Sequence, residues 1–340
     1  MINIRNLKLE ELNDILIKAG YQRFRAKQIF NWLKLGRVAD FDLMTNLPAD
    51  LRKYLKQTFV LNSVKLERLL KSSCGSATKM LCRLLDGNLI EAVIMKYKYG
   101  FSVCVSTQVG CRMGCAFCVS GMHGFVRNLD AAEILEQVLL AREFAGERIG
   151  HVVLMGVGEP LDNFDNVVRF VELISSTEGL NIGQRNLSLS TSGVVDKIYQ
   201  LMDLKMQITL SISLHATNDS LRNRLMPINR RWNLSQLLEA CKEYFRATRR
   251  RISFEYIMLN QVNDSMVFAE ELKRLLCGFA AHVNLIPANC GRGDFKSSDP
   301  KVIKAFQKRL EDLGLNVTVR RKLGDDVNAA CGQMRSSCVK

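Results

Sequence analysis

Cys111, Cys115 and Cys118 carry the densest chemical signal in the chain, written C-R-M-G-C-A-F-C. At C-x3-C-x2-C spacing, three thiolates leave one short loop and can converge on one corner of an inorganic cluster. A [4Fe-4S] cube normally takes four thiolates, so three leave one iron open to another ligand. A zinc site is the plainer reading, yet zinc loops favour C-x2-C pairs repeated at a distance. No second C-x2-C pair follows Cys118. The spacing therefore points to a cluster with a vacant corner rather than to a closed structural metal or to incidental thiols.

The rest of the chain must hold that loop. It has 340 residues and a hydrophobic fraction of 47%, enough for one large domain or two. No apolar run approaches the roughly 20 residues of a membrane span, and the start, M-I-N-I-R, lacks the apolar core of a signal peptide. A cytoplasmic protein away from membranes is expected, in which the eleven cysteines serve as ligands, nucleophiles or small buried groups. A formal net charge of +14 favours polyanionic partners such as nucleic acid.

Residues 1–60 read as short basic helices. Leu9, Leu12, Leu16 and Ile17 lie near helical spacing, Gly20 can end that helix, and Ile29, Phe30 and Leu33 form the apolar face of the next. Arg23, Arg25, Lys27, Lys34 and Arg37 crowd the polar faces, which suits solvation or RNA contact equally. Residues 61–97 change to three strand-like runs with a tight turn at Asp86-Gly87, a short antiparallel β extension. From 98 to 324 strand, loop and helix repeat: runs near 102–106, 151–155, 186–190, 207–214, 251–259 and 282–287 alternate with amphipathic segments. That order predicts an α/β fold with parallel pairing, a partial (β/α)6 barrel whose functional loops follow the strand carboxyl ends. The cysteine loop follows the first of these strands. Val317–Arg320 reads as a further strand, and residues 325–340 as an irregular tail.

An open iron at a barrel mouth suggests S-adenosylmethionine (SAM), whose amino and carboxylate groups can chelate it. With aromatic Phe117 before the last cysteine, the loop resembles the radical SAM superfamily. Further stretches narrow the resemblance: F-R-A-K-Q-I from Phe24, M-G-V-G-E-P from Met155, S-T-S-G from Ser190, S-L-H from Ser213, and G-D-D-V-N-A-A-C-G-Q from Gly324. Together these motifs, in this order and over nearly the whole chain, resemble the RlmN/Cfr family of RNA adenine methyltransferases.

The resemblance implies a site residue by residue. Cys111, Cys115 and Cys118 match the cluster ligands. Gly158 and Glu159 match the turn that holds the methionyl amine of SAM, and Ser190, Ser213, Leu214, His215 and Asn289 match the rest of its pocket. Each choice is chemically apt: glycine admits close backbone approach, a carboxylate suits an ammonium, and hydroxyls and amides bind ribose or carboxylate. An aromatic carbon is a poor nucleophile, whereas a cysteine thiolate is a good one. Cys331 matches the family's methyl-accepting cysteine, Cys104 the cysteine that resolves the RNA adduct through a disulfide, and Glu91 the acid that accepts a proton. For Cys104 and Glu91 the plain readings, without the family match, are a buried structural thiol and a surface carboxylate. Cys74, Cys82, Cys241, Cys277, Cys290 and Cys338 fit none of these roles.

The substrate so implied is one adenosine of 23S rRNA, and in some members the adenosine after the tRNA anticodon; Arg230-Arg231, Arg249-Arg250-Arg251 and Arg320-Arg321-Lys322 could neutralise its phosphates. Two SAM per turnover, a reductant such as flavodoxin or ferredoxin, and a monomer are expected. Pro160 and Ser192 favour carbon 2 of adenine over carbon 8, the Cfr-type alternative. A rival from another class is a basic RNA-binding protein with a structural metal site.

Overall fold

The computed structural model describes residues 1–122, 124–278, 280–289, 295–321 and 323–327. Cys331 lies outside them.

Strand β1 (Ile2–Asn3) is followed by helices α1 (Leu9–Lys18), α2 (Phe24–Leu35) and α3 (Ala49–Thr58), then by β2 (Phe59–Val60). Leu12, Leu16, Ile29, Leu33, Leu51 and Leu55 close a core of their own. β1 pairs in parallel with β2, joining the two ends of this helical unit. The pairing is two residues long and leaves no periodicity to read.

β3 (Val64–Lys71), β4 (Ala77–Leu84) and β5 (Leu89–Tyr97) form an antiparallel meander. Its last turn needs Gly87, whose φ is +85°. β5 pairs antiparallel with β6 (Gly100–Cys104), the strand that leads into the cysteine loop. That loop lies between β7 (Gln108–Gly110) and β8 (Phe125–Asn128), a small hairpin outside the main sheet.

The repeating part follows: α4 (Ala131–Ala145) and β9 (Ile149–Leu154), α5 (Phe164–Ser175) and β10 (Leu187–Thr191), α6 (Val195–Asp203) and β11 (Thr209–Ser213). Next come α7 (Asp219–Leu225), α8 (Leu234–Thr248) and β12 (Ile252–Met258), α9 (Met266–Leu275) and β13 (Ala281–Pro287), α10 (Pro300–Asp312) and β14 (Asn316–Val319). Helix starts are written locally: Asp130 with Glu133 and Asn233 with Gln236 form reciprocal capping boxes, and Gly146 ends α4 at φ +67°.

All main-sheet pairings from β6 through β9 to β14 are parallel, and the meander continues the same ten-stranded sheet in the order β14-β13-β12-β11-β10-β9-β6-β5-β4-β3. The partial α/β barrel is thus as expected. β14 adds a seventh parallel strand, and the β extension is not a separate layer.

The strands alternate sharply. Leu187 and Leu189, Leu210 and Ile212, Phe254 and Tyr256, Val283 and Leu285 enter the helix-side core. By the period of two, Ser188 and Ser190, Ser211 and Ser213, Ser253 and Glu255, His282 and Asn284 face inward. Closed barrels usually fill that interior with bulky branched residues. Here it is lined with small polar ones, which leaves room for ligands.

The helical unit is pinned to the barrel by a buried carboxylate. Glu136, on α4, accepts hydrogen bonds from Asn3 Nδ2 (2.6 Å) and from the amides of Ser63 and Val64 (both 2.8 Å). Arg5, equally buried, lies 4.0 Å away and donates to the carbonyls of Leu33 and Gly36 at the end of α2. Burial pushes the Glu136 carboxyl up and the Arg5 charge pulls it back, while burial lowers Arg5 only to about 10, so the arginine stays charged at neutral pH. Glu136→Ala leaves these donors and the buried Arg5 charge uncompensated, and a loss of about 3–5 kcal/mol in urea denaturation is expected. A loss below about 1 kcal/mol would show that the carboxylate does not hold the joint.

Candidate active site

The cysteine loop is fastened on both sides. Gly110 has φ +74°, and a Cβ there would lie 1.9 Å from the carbonyl oxygen of Gly124, so the hairpin closes only on glycine. The Cys111 amide donates to that same carbonyl (3.1 Å). On the far side the Ala116 amide donates to the Leu225 carbonyl (2.9 Å), and Cys115 and Phe117 pack against Leu225, Met226 and Ile257. The three thiols thereby face one cavity at the carboxyl ends of the barrel strands, about 950 Å³ of empty space counted out to its open mouth.

Glu159 forms the opposite wall. It is 3% exposed, and its carboxylate accepts from the Ser192 amide (2.7 Å) and the Leu161 amide (3.0 Å). Its own amide donates to Gln108 Oε1 (2.9 Å), tying the turn after β9 to β7. Burial raises the carboxyl above its ordinary range, against the hydrogen bonds that lower it. Gly158 has φ +110°, and a Cβ would meet Gln108 Cβ at 2.7 Å and its backbone nitrogen at 2.8 Å. Backbone passes so close to backbone here that no side chain fits.

His215 adopts φ +59°, a conformation strained for a residue with a side chain. It is held there because Nδ1 accepts from the Ile257 amide (3.0 Å), Asn263 donates to its carbonyl (3.0 Å), and its ring stands edge-on to Phe117 at 4.9 Å. An accepting Nδ1 places the proton on Nε2. Burial first, then the Arg222 charge, lowers its pKa to about 3, so the imidazole is neutral.

Of the residues singled out from sequence, Cys111, Cys115, Cys118, Gly158, Glu159, Ser190, Ser213, His215 and Asn289 all line this cavity. Leu214 does not: its side chain is in the helix-side core, and only its backbone belongs to the neighbourhood. Cys104 lies one layer away, buried with Val93, Met95 and Val157, and Met155 both packs on that cluster and lines the cavity. Glu91 is 4% exposed and ion-paired to Lys79 at 2.7 Å, so it does not sit on a solvated face. Val327 packs on the Cys104 cluster. Residue 331 is four positions further along a chain that extends at most about 3.6 Å per residue.

Arg222 was not legible in the sequence. Fully buried, it donates to the carbonyls of Ser192 (2.7 Å), Ser213 (3.0 Å) and Leu214 (3.2 Å) and to Asn229 Oδ1 (2.9 Å), locking together the loops after β10 and β11. Burial lowers it only to about 10, and it remains charged.

The donor set fits an iron–sulfur cluster with SAM. Burial pushes the Cys111 thiol up to about 12 and Cys115 up as well, with the neighbouring thiols and Glu159 adding to it. Thiols so placed become ligands only where metal charge offsets the burial. Together with the Glu159 carboxylate they make the cavity a site for positive charge, and SAM brings an ammonium and a sulfonium. No group of three His, Cys, Asp or Glu side chains among the described residues is placed to share one metal ion. A cube asks for less, since each thiolate takes its own iron.

Residues 105–271 match the family model described as the radical SAM superfamily, and residues 2–61 the one described as the ribosomal RNA large subunit methyltransferase N-terminal domain. A protein of Clostridium perfringens strain SM101, named as a probable dual-specificity RNA methyltransferase RlmN, is 49% identical over 100% of this chain and 98% of its own. The protein of that name from Clostridium novyi is 47% identical over 100% of this chain and 99% of its own. The crystal structure of a radical SAM methyltransferase from Sphaerobacter thermophilus superposes with a TM-score of 0.95 at 41% identity, covering 98% of this chain and 99% of that one.

The neutral His215 sets a pH dependence. Its folded pKa of about 3 lies below the ordinary histidine value of 6.5, so below pH 6.5 the unfolded chain takes up a proton that the folded one refuses. Stability therefore decreases as the pH is lowered below about 6.5, by up to about 1.4 kcal/mol per unit from this residue. Urea denaturation at about pH 7.5 and 5.5 is expected to show a smaller acid loss in His215→Gln than in the parent; equal losses would contradict it.

Proposed function

Because the chain belongs to the RlmN family of radical SAM RNA methyltransferases, with a [4Fe-4S] cluster and SAM as its cofactors, we propose that it methylates carbon 2 of an adenosine in 23S rRNA, and the adenosine after the tRNA anticodon. The observation that carries the reading is the single cavity onto which three loop thiols, a buried carboxylate and the Ser190, Ser213 and Asn289 side chains converge. The relatives' name, dual-specificity RNA methyltransferase, supports more than one RNA substrate, and the description of the N-terminal family model supports large-subunit ribosomal RNA as one of them.

In this reading Cys111, Cys115 and Cys118 hold the cluster. Glu159 receives the ammonium of SAM, and Gly158 leaves the space for it. Ser190, Ser213, the Leu214 backbone, His215 and Asn289 take its ribose and adenine. When bound, the cluster and SAM supply a 5′-deoxyadenosyl radical. Cys331 first attacks a SAM methyl carbon as a thiolate, giving S-methylcysteine, and a second SAM is consumed when hydrogen is taken from that methyl group. The methylene carbon on Cys331 then bonds to carbon 2 of the adenine, and the ring proton passes to Glu91. Cys104 attacks the sulfur of Cys331 as a thiolate: a disulfide forms, the carbon–sulfur bond breaks, and the departing carbon keeps the electron pair and takes up a proton to become the methyl group, while the odd electron left by the addition to the ring would return to the cluster. The position of Cys104 in one apolar cluster with Val327 supports this pairing.

Residues 1–60 are proposed as an RNA-contacting domain, 61–97 as an extension, 98–324 as the catalytic barrel and 325–340 as the tail that carries Cys331. Phe24, half exposed with the Arg25 guanidinium 4.6 Å over its ring, offers a basic stacking surface in the first of these. No described helix is long and apolar enough to cross a membrane. Flavodoxin or ferredoxin is the proposed reductant, and a monomer acting in the cytoplasm is proposed.

Anaerobic incubation with rRNA and SAM, followed by nucleoside mass spectrometry, is expected to give 2-methyladenosine. Cys331→Ala is expected to lower it by more than about 100-fold. Finding only 8-methyladenosine would place the chain with the Cfr type, and methylation that survives Cys331→Ala would remove the cysteine carrier.

A further inference from the structure

Beneath the reaction cavity the barrel holds a second, polar one, about 780 Å³ counted to its opening. Met155, Glu255 and Arg320 line both, and Glu255 is the one carboxylate at the partition. It is 4% exposed, and its two oxygens are held from different strands. Ser253 Oγ donates to Oε1 (3.1 Å), Asn284 Nδ2 donates to Oε2 (2.7 Å), and Arg320 stands 3.9 Å away.

From Glu255 a hydrogen-bonded path runs outward. Ser253 Oγ is 3.3 Å from His282 Nδ1, and His282 Nε2 is 3.1 Å from the hydroxyl of Thr318, an exposed residue on the edge strand β14. Thr318 also donates to Asn284 Oδ1 (3.1 Å), closing a ring of five side chains across β12, β13 and β14. The other charges around it are Arg251 near His282 and Arg320 beside Glu255. Burial, then Arg251, lowers the His282 pKa, which favours the neutral imidazole, one nitrogen carrying a proton and the other a lone pair.

We propose that Glu255 carries the proton released in the reaction cavity to the lower one, and that Ser253, His282 and Thr318 pass it to solvent. The proposal rests on the methyl-transfer reading: moving a methyl group from a sulfonium to a carbon that bore hydrogen releases one proton per product. The Cys331 thiol must lose its proton to take up a methyl group, and Glu91, read as the acceptor of the ring proton, lines neither cavity, so a proton released in the reaction cavity needs another carrier. The transfer balances as a relay. The Glu255 carboxylate takes the proton, then gives it to Ser253 Oγ as the serine's own proton moves to His282 Nδ1. The Nε2 proton leaves through Thr318 to water, and reorientation of the hydroxyls and of the imidazole ring, with no proton carried back, resets the chain. Glu255 and His282 are relay residues; no bond to the base is made by either.

The test compares Glu255→Gln, Ser253→Ala and His282→Ala in the full, cofactor-loaded protein. Glu255→Gln keeps the shape and cannot carry a proton; methylated RNA is expected to fall about 10- to 100-fold, with SAM affinity in equilibrium dialysis within about twofold of the parent. Ser253→Ala and His282→Ala are expected to fall about tenfold, with thermal midpoints near the parent's. Added imidazole, a diffusible base, is expected to restore His282→Ala and not Glu255→Gln. Parental rates in Glu255→Gln, loss of SAM binding in it, or no imidazole rescue of His282→Ala would each overturn the relay. Failure of the underlying reading is distinguishable, because then the unsubstituted protein itself makes no methylated adenosine.

Discussion

A buried carboxylate with no cation beside it among the described residues is the constraint on which the barrel mouth depends. Glu159 is held by the Ser192 and Leu161 amides, with the Thr191 and Ser192 hydroxyls alongside, and no described Lys or Arg pairs with it. Charge in that position is costly until a positive ligand arrives. The turn that carries it is over-determined: Gly158 is pressed on Gln108, Gln108 in turn bonds Asn128 and Asp162, and Asp162 pairs with Arg112 of the cysteine loop at 2.9 Å. The carboxylate and the three thiols are therefore parts of one rigid frame. A rigid frame suits chemistry in which reacting atoms must be held to within a fraction of an ångström.

The same logic explains the buried arginine. Arg222 gives its donors to carbonyls at the ends of β10 and β11, which otherwise point into a low-dielectric space with nothing to receive. Its charge also helps keep His215 neutral, so one residue sets both the shape of two loops and the protonation of a third. Further from the mouth, Glu136 performs the matching task between the helical unit and α4, gathering donors from residues 3, 63 and 64.

Much of this was legible in the sequence, and the exceptions share a physical cause. The cysteine spacing is a local pattern, and it located the loop; the L-S-L-S alternation of β10 is equally local, and its meaning as a polar barrel interior came with the strand's place in the sheet. The alternation of hydrophobic runs with amphipathic segments was likewise enough for the parallel order. Arg222 escaped because its partners are backbone carbonyls on two distant loops, which no side-chain pattern encodes. The ring of Ser253, Glu255, His282, Asn284 and Thr318 escaped because it needs the register of β12 on β13 and of β13 on β14. Leu214 was read from a motif in which the backbone matters, and its side chain turned out to serve the core. Glu91 reads as a surface position by alternation alone, yet the inward face of the meander is covered and supplies Lys79 as its partner. The placement of Cys331 lies beyond the described residues, though Val327, four positions before it, packs on the apolar cluster that includes Cys104.

The central idea is that carbon travels from SAM to the base on one particular sulfur. It is tested most directly by incubating the anaerobically loaded protein with SAM and locating the modification by peptide mass spectrometry. A single methyl group on Cys331, with Cys104 and the three loop cysteines unmodified, is the expected result. An unmethylated Cys331 in protein that goes on to methylate RNA would contradict it.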